Sequence, residues 1–227
     1  MDLARLPDRC VCGDKMSITH ALNCARGGYV IIRHNAVRDF LAEQLSDVCA
    51  DVQVEPPLQP LDGETFSSQA AATGEQARPD IRARGFFRDG QQAFFDVKLL
   101  NPNSDSYLKT PTVKIYERAE RAKKSLYNER IQHVERGTFA PLIFSVTGGM
   151  GPESRHFTKL LCRKLADKHK QEYSYVTNFV KCKLSFLIRK LVLLCVRGSR
   201  TVKQSQHSSI SESDFQFGCF ESKLLTI

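Results

Sequence analysis

The sequence has no tryptophan and no apolar run long enough to cross a bilayer. Its longest apolar stretch, residues 184–196, is interrupted by Arg189 and Lys190, whereas a transmembrane helix needs about 20 consecutive apolar residues. The first residues also lack the apolar segment that defines a secretory signal peptide. We therefore expect no membrane span in these 227 residues.

Cysteine is too sparse for a disulfide-stabilised scaffold, with 8 residues in a chain of 227. Three of the cysteines lie within the first 24 residues, which favours metal binding in a reducing compartment over disulfide bonds. The others have no partner spacing, and we interpret them as ordinary core or surface residues. These are Cys49, Cys162, Cys182, Cys195 and Cys219.

Acidic residues are fewer than basic ones: the sequence has 25 Asp and Glu and 33 Lys and Arg, which gives a net charge of +8. Such a balance favours a polyanionic partner such as nucleic acid, although many basic proteins bind none. Between residues 155 and 203 the chain has 13 basic residues and 2 acidic ones, a net of +11. Lys159, Arg163 and Lys164 are candidates for phosphate contact there. An ordinary soluble helical surface is the alternative.

A compact Cys/His segment opens the sequence. Cys10 and Cys12 are followed by His20 and Cys24, and three thiolates with one imidazole form a closed, structural zinc set. The spacing of His20 and Cys24 suits one helical turn, and that of Cys10 and Cys12 suits a tight knuckle before Gly13. We predict one structural zinc at a tip that is able to contact DNA. A chance grouping of free thiols is the alternative.

The remaining pattern predicts an α/β fold. A helix capped by Asn35 should precede a strand at residues 50–57, and residues 59–78 have a loop composition. After a hairpin, a helix from Thr112 to about residue 134, a buried strand at 140–146 and two further helices should follow. This order favours a mixed central sheet flanked by helices. The expected parts are a zinc knuckle (1–33), a core (34–150), a basic helical extension (151–200) and a disordered tail (201–227).

The hairpin, ARPDIRARGFFRDGQQAFFDVKLL (residues 77–100), carries charges on otherwise apolar strands. A three-residue loop that ends at a left-handed Gly90 would pair Asp80 with Lys98 and Arg82 with Asp96. One face would then be apolar, while Asp80, Asp96 and Lys98 would share the other. A two-residue turn would instead mix charged with apolar residues, so the bulged loop is favoured.

Two neighbouring carboxylates repel each other, and a divalent cation between them removes the penalty. Magnesium held by Asp80 and Asp96 would lower the pKa of a bound water, and Lys98 would stabilise the developing charge on a phosphodiester. The alternative is that Asp80 caps a turn and that Asp96 and Lys98 lie on a solvated strand face.

The ordered combination of motifs resembles a known family. The Cys/His set, RHNAV opening a helix, VEPPL, RPD, the hairpin Asp and a basic helix are similar to the restriction-enzyme-like endonuclease of non-long-terminal-repeat retrotransposons. There it lies at the C-terminal end of the reverse transcriptase polypeptide. The resemblance covers about residues 10–135, while residues 151–200 match the nuclease core poorly.

The resemblance implies a restriction-endonuclease-like core of the PD-(D/E)xK superfamily. Asp80 and Asp96 would match its metal-binding acids and Lys98 its catalytic lysine. Glu55 resembles an extra acidic residue near the metal, though an exposed strand-end charge is an equal alternative. Lys123, four residues before Tyr127, resembles a helix motif that borders the site in some members, and it would reach a phosphate or form part of a solvated basic face.

The function implied is that of a retroelement-derived, magnesium-dependent DNA endonuclease in the nucleus, with DNA as its partner and retroelement RNA as a further one. A cytoplasmic location is the alternative. Two other functions stay open: a nucleic-acid-binding zinc module without cleavage, and a repair-type exonuclease of the same superfamily.

Overall fold

The protein, seen in a computed structural model that describes residues 7–59 and 78–198, is an α/β fold built on four strands. A single turn of 3-10 helix, Asp105–Tyr107, follows the third strand. The elements are α1 (Ile18–Asn23), α2 (Tyr29–Val48), β1 (Ala50–Val54), β2 (Ile81–Arg84), β3 (Gln92–Leu100), α3 (Thr112–His133), β4 (Thr138–Ser145), α4 (Pro152–His169) and α5 (Tyr173–Arg197).

The strands form one mixed sheet in the order β1-β2-β3-β4. The first two pairs are antiparallel, and β3 pairs with β4 in parallel after the crossover through α3. A parallel strand that is covered on both faces reads as a continuous apolar run, and this explains why β4 is buried along almost its whole length. The predicted mixed sheet flanked by helices is thus confirmed.

The two faces of the sheet have different covers. Helices α2, α4 and α5 pack on the face that carries Ile81, Phe95 and Val97 and form the main core. Helix α3 covers the opposite face, which carries Phe94 and Leu100. Residues 151–200, predicted as a basic helical extension, supply Phe157, Leu161, Leu165, Val180, Leu184 and Ile188 to the main core.

Helix α2 begins earlier than the sequence pattern predicted. It starts at Tyr29, so Asn35 is an internal residue and not the cap. Gly28 occupies the cap position with φ of 70°, a left-handed conformation that glycine adopts without a steric penalty. Its carbonyl accepts hydrogen bonds from the N–H groups of Ile31 and Ile32, both at 3.0 Å. The cap is made by backbone alone, which a search for capping side chains overlooks.

The predicted hairpin register is wrong by two residues. Ile81 pairs with Phe95, and Arg84 pairs with Gln92, so Arg82 does not face Asp96. The strands separate early because Phe86 turns into the core, where its ring lies 5.3 Å from that of Phe95. Gly90 is left-handed as predicted, with φ of 73°. Since a two-residue shift returns each side chain to its original face, the predicted apolar face survives.

Two predictions fall outside the described residues: the tail at 201–227 and most of the loop at 59–78. Within the described ranges, no helix combines the length and the apolar composition needed to cross a membrane.

Candidate metal centre and carboxylate site

The Cys/His segment folds into a tight turn followed by a short helix. The N–H of Gly13 donates to the carbonyl of Cys10 at 2.9 Å, and the N–H of Cys10 donates to the carbonyl of Asp14 at the same distance. Helix α1 follows and is capped by Ser17, whose hydroxyl accepts a hydrogen bond from the N–H of His20. The turn therefore presents two sulfur atoms towards one end of α1.

The four predicted zinc ligands lie together. Cys10 Sγ is 3.8 Å from Cys24 Sγ, and Cys12 Sγ is 3.3 Å from His20 Nε2. All four ligand atoms lie within 4.8 Å of one another. A tetrahedral site with Zn–S bonds of about 2.3 Å has sulfur atoms about 3.8 Å apart. The cluster can therefore hold a metal ion such as zinc, as the sequence predicted.

The surroundings of the cluster favour the thiolate of Cys10 but not that of Cys12. The backbone N–H of Asp14 lowers the pKa of Cys12, but burial and hydrogen bonds with Cys10 and Cys24 outweigh it and raise this pKa to about 11. The backbone N–H of Cys12 lowers the pKa of the Cys10 thiol to about 6, and the thiolate is the form that binds metal. Asp14 Oδ2 lies 3.8 Å from His20 Nδ1, which leaves Nε2 directed at the cluster. Met16 completes a small apolar cluster around the cysteines, against which Val196 of α5 packs.

The second site centres on Asp80, at the residue before β2. Its Oδ2 accepts the N–H of Val97 at 2.6 Å, and its Oδ1 lies 2.9 Å from His34 Nε2 on α2. Its own N–H donates to the carbonyl of Phe95 at 2.9 Å. The carboxylate thus takes the place of a backbone acceptor where the β2–β3 ladder ends. The sequence pattern had paired Asp80 with Lys98 within the ladder, but Asp80 lies outside it.

Asp96 is buried on the side of the sheet that faces α3. Lys123 Nζ lies 3.0 Å from its Oδ1 and 2.9 Å from its Oδ2. Burial raises the pKa of Asp96, and the negative charge of Asp80 raises it further, while Lys123 opposes both effects. Burial and the charge of Asp96 also raise the pKa of Tyr127, whose hydroxyl donates to the carbonyl of Arg78 at 3.0 Å.

Lys98 lies two residues after Asp96 on β3 and therefore projects towards the same face of the sheet. It is half-buried and makes no hydrogen bond or ion pair with the described residues. Lys123 is instead the lysine that contacts Asp96. Among the described residues, the ammonium group of Lys123 is therefore paired with a carboxylate, whereas that of Lys98 is not.

Glu55 lies beside Asp80, because its N–H donates to the Asp80 carbonyl at 2.8 Å. Its φ of 49° turns the chain sharply after β1. The carboxylate is paired with Arg38 of α2, and its second oxygen lies 3.8 Å from Arg78. The predicted extra acidic residue is therefore near the site, but two guanidinium groups compete for its charge.

The predicted basic contacts on α4 lie on the other face of the sheet. Lys159 and Arg163 are exposed there, whereas Lys164 donates to the Gly85 carbonyl at 3.2 Å. Helix α4 packs in the main core, and Lys123 of α3 lies across the sheet from it. These predicted nucleic-acid contacts do not form one patch with Lys123.

Sequence reasoning missed His34 as part of the site. The predicted helix, capped by Asn35, began after His34 and left no reason to direct the imidazole at Asp80. With α2 beginning at Tyr29, His34 and Arg38 are four residues apart and lie on the same side of the helix. They contact Asp80 and Glu55, respectively.

No model of a known protein family matches the chain, and no curated protein matches it. What the two sites can do follows from their side chains. The Cys/His cluster offers a closed ligand set, which suits a structural metal. At the other site, His34 contacts the Asp80 carboxylate and Lys123 contacts the Asp96 carboxylate, while Lys98 lies on the same face of the sheet as Asp96.

Proposed function

We propose that the chain is a metal-dependent DNA endonuclease with a restriction-endonuclease-like core, derived from a retroelement. The observation that carries this proposal is the approach of Asp80 and Asp96 at the end of the β2–β3 ladder. The Asp80 N–H donates to the Phe95 carbonyl and Asp80 Oδ2 accepts the N–H of Val97, so Asp80 lies beside Asp96, and the negative charge of Asp80 raises the pKa of Asp96. A divalent cation would relieve the repulsion between the two carboxylates.

Asp80 and Asp96 would hold magnesium, which proteins bind through one or two carboxylates together with waters and substrate phosphate oxygens. Both groups are oxygen ligands, and the hydrogen bond from the Val97 N–H to Asp80 Oδ2 places Asp80 beside the strand that carries Asp96. Bound magnesium would supply a lowered pKa for a water and electrostatic stabilisation of the phosphodiester. His34 orients the Asp80 carboxylate through the contact at 2.9 Å.

The two lysines take different roles in this proposal. Lys98, uncommitted among the described residues and on the same face as Asp96, orients the attacking water and stabilises charge on the scissile phosphate. Lys123 neutralises Asp96 in the absence of substrate and is placed to contact a neighbouring phosphate. Glu55 has a structural role here, since its carboxylate is paired with Arg38.

The rest of the chain would serve DNA binding. The Cys/His cluster, loaded with zinc, stabilises the fold and presents a contact tip, and the exposed Lys159 and Arg163 of α4 contact the phosphate backbone. Nuclear location and retroelement RNA as a further partner rest on the family resemblance alone.

A nucleic-acid-binding module that has lost cleavage is the second candidate. It is favoured by one observation: the acidic side chains already have partners within the protein. Asp96 is paired with Lys123, Asp80 with His34, and Glu55 with Arg38. A site that is satisfied in this way needs no metal to be stable.

The test is a nicking assay on supercoiled plasmid with Mg²⁺ or Mn²⁺, run beside a linear blunt fragment. The wild-type protein should open closed circles. Asp96→Asn removes one ligand charge and should slow nicking by about 100-fold or more. Asp89→Asn is the matched control, because Asp89 is exposed in the turn of the same hairpin. Zinc content and circular dichroism establish that each variant is folded.

Lys98→Ala should lower nicking as strongly as Asp96→Asn, with Lys114→Ala on the exposed side of α3 as its control. Protein that binds DNA but nicks it with neither metal supports the binding module. Digestion of the linear fragment alone supports the exonuclease. Full activity in Asp96→Asn would place the chemistry elsewhere in the protein.

A further inference from the structure

Helix α5 (Tyr173–Arg197) has one face in the main core and a second face with large apolar side chains in solvent. Val176, Val180 and Leu184 belong to the buried face. The outer face carries Tyr175, Phe179, Phe186 and Leu193, with exposed fractions of 52%, 48%, 59% and 54%. Single exposed apolar residues are common, but a row of them along one helix marks an interaction surface.

The row follows a heptad. Phe179, Phe186 and Leu193 are seven residues apart, and Tyr175 and the exposed Cys182 stand four residues before Phe179 and Phe186. Alternating spacings of four and three residues are those of the two seam positions in a coiled coil. They run for about 27 Å along the helix from residue 175 to residue 193, at about 1.5 Å per residue. This geometry suits a second α-helix lying along the seam.

The charges beside the seam are of one sign. Lys183, Lys190 and Arg197 are exposed and repeat every seven residues along the seam, at the positions that form interhelical ion pairs in coiled coils. Helix α5 contains no Asp or Glu. A partner helix would therefore need acidic residues along the side of its own apolar stripe that faces these three positions to be complementary in charge.

A second copy of the chain fits poorly. In an antiparallel pair of α5 helices, Lys183, Lys190 and Arg197 would face equivalent basic residues. In a parallel pair, Arg189 occupies a seam position and would meet its own equivalent. Like charges placed opposite each other disfavour both arrangements.

A nucleic acid also fits less well than a helix. Base stacking needs aromatic faces that are open to the ligand, but Lys183 Nζ lies 4.6 Å from the centroid of the Phe179 ring and covers one face. Leu193 offers no ring at all. The heptad spacing has no counterpart in the repeat of a nucleic-acid strand.

We propose that the outer face of α5 binds an acidic amphipathic helix of a partner protein. Phe179, Phe186 and Leu193 anchor the partner's apolar stripe, and Lys183 with Lys190 select an acidic flank beside it. The site lies on the outer side of the helices that cover one sheet face, whereas Asp96 and Lys123 lie on the other face. It is therefore independent of the nuclease proposal.

The test measures binding of labelled synthetic helices to the full chain by fluorescence anisotropy. One probe has a heptad stripe of apolar residues flanked by Glu, the second has the same stripe flanked by Lys, and the third is a scrambled form of the first. The Glu-flanked helix should bind, and the other two should not. Phe186→Ser should weaken binding about tenfold or more. Leu126→Ser, an exposed apolar residue on α3, is the matched control.

Charge reversal gives the sharper result. Lys183→Glu combined with Lys190→Glu should lose the Glu-flanked helix and gain the Lys-flanked one, which loss of folding cannot produce. Equal binding of the scrambled probe would overturn the proposal. A wild-type dimer that Phe186→Ser dissociates would also overturn it. The same holds if the protein does not bind the Glu-flanked helix but binds single-stranded oligonucleotide or anionic vesicles, and Phe186→Ser abolishes that binding.

Discussion

The pair formed by Lys123 and Asp96 should be worth more to stability than any exposed ion pair of the protein. Asp96 is 3% exposed, so it has almost no access to water. Removing one partner of a buried pair costs about 3–5 kcal/mol, because a charge is left without compensation. The Lys123 side chain is 26% exposed, so water can enter when it is shortened. We expect Lys123→Met to lower the free energy of unfolding by about 2 kcal/mol.

A double-mutant cycle isolates the interaction from other effects of the substitution. Asp96→Asn removes the carboxylate charge, and Lys123→Met should then cost much less in the Asp96→Asn background than in the wild type. The expected coupling is about 1–2 kcal/mol. Urea unfolding followed by circular dichroism, at neutral pH and without added magnesium, measures all four proteins. Lys114→Met, exposed on the same helix, is the control and should change stability by less than about 0.5 kcal/mol.

Two results would refute the reasoning. If Lys123→Met costs no more than Lys114→Met, the contact with Asp96 does not stabilise the fold. If Lys123→Met costs the same with and without the Asp96 carboxylate, its effect arises from packing along α3 and not from charge.

Two further predictions follow from the metal centre and from the junction between α2 and α4. Purified protein should contain about one zinc per chain, as measured by elemental analysis. The Cys24→Ser variant should lose this zinc, whereas Cys182→Ser, a control at an exposed residue of α5, should keep it. Equal zinc content in the two variants would exclude the Cys/His cluster as the zinc site. Burial raises the pKa of Asp47, but Lys168 and His169 outweigh burial and lower it. The ionised Asp47 therefore stabilises the folded protein at pH values above its unfolded pKa of about 3.9. This stabilisation is lost as the pH falls through the folded pKa. Asp47→Asn should therefore lower the free energy of unfolding by about 0.5 kcal/mol at pH 7 and leave it unchanged at a pH below the folded pKa of Asp47. Urea unfolding at several pH values measures this difference. A loss of stability that does not change with pH would contradict the ion pairs of Asp47 with Lys168 and His169.

The parts of the fold that depend on local pattern could be predicted from the sequence. Helix α3 begins at the predicted Thr112, and β4 contains nearly all of the predicted strand at 140–146. The apolar residues of α3 recur with a helical period because one of its faces is buried, and β4 is a continuous apolar run because both of its faces are buried. The Cys/His cluster was also predictable, since its four side chains lie close together in sequence and a tetrahedral ligand set restricts their spacing.

The features that failed depend on contacts between distant residues. The hairpin register was decided by Phe86, which leaves the strand to pack against Phe157 at 4.9 Å between ring centroids. The contact between His34 and Asp80 joins residues 46 positions apart. Neither is encoded in a short window of sequence. The contact between Lys123 and Asp96 likewise joins residues that are distant in sequence, 27 positions apart.

Helix α2 connects the metal centre to the carboxylate site. It begins five residues after Cys24, and its first two turns carry Arg33 and His34. Arg33 is buried against Cys195 of α5, and burial lowers its pKa, while His34 contacts Asp80 at 2.9 Å. Because a helix behaves as a rigid rod over two turns, a change in the angle at which the chain enters α2 would move both contacts together. Leu22 of α1 and Tyr29 at the start of α2 pack in one apolar cluster with Cys195 of α5, so α5 supports both the segment that carries the Cys/His cluster and the first turn of α2.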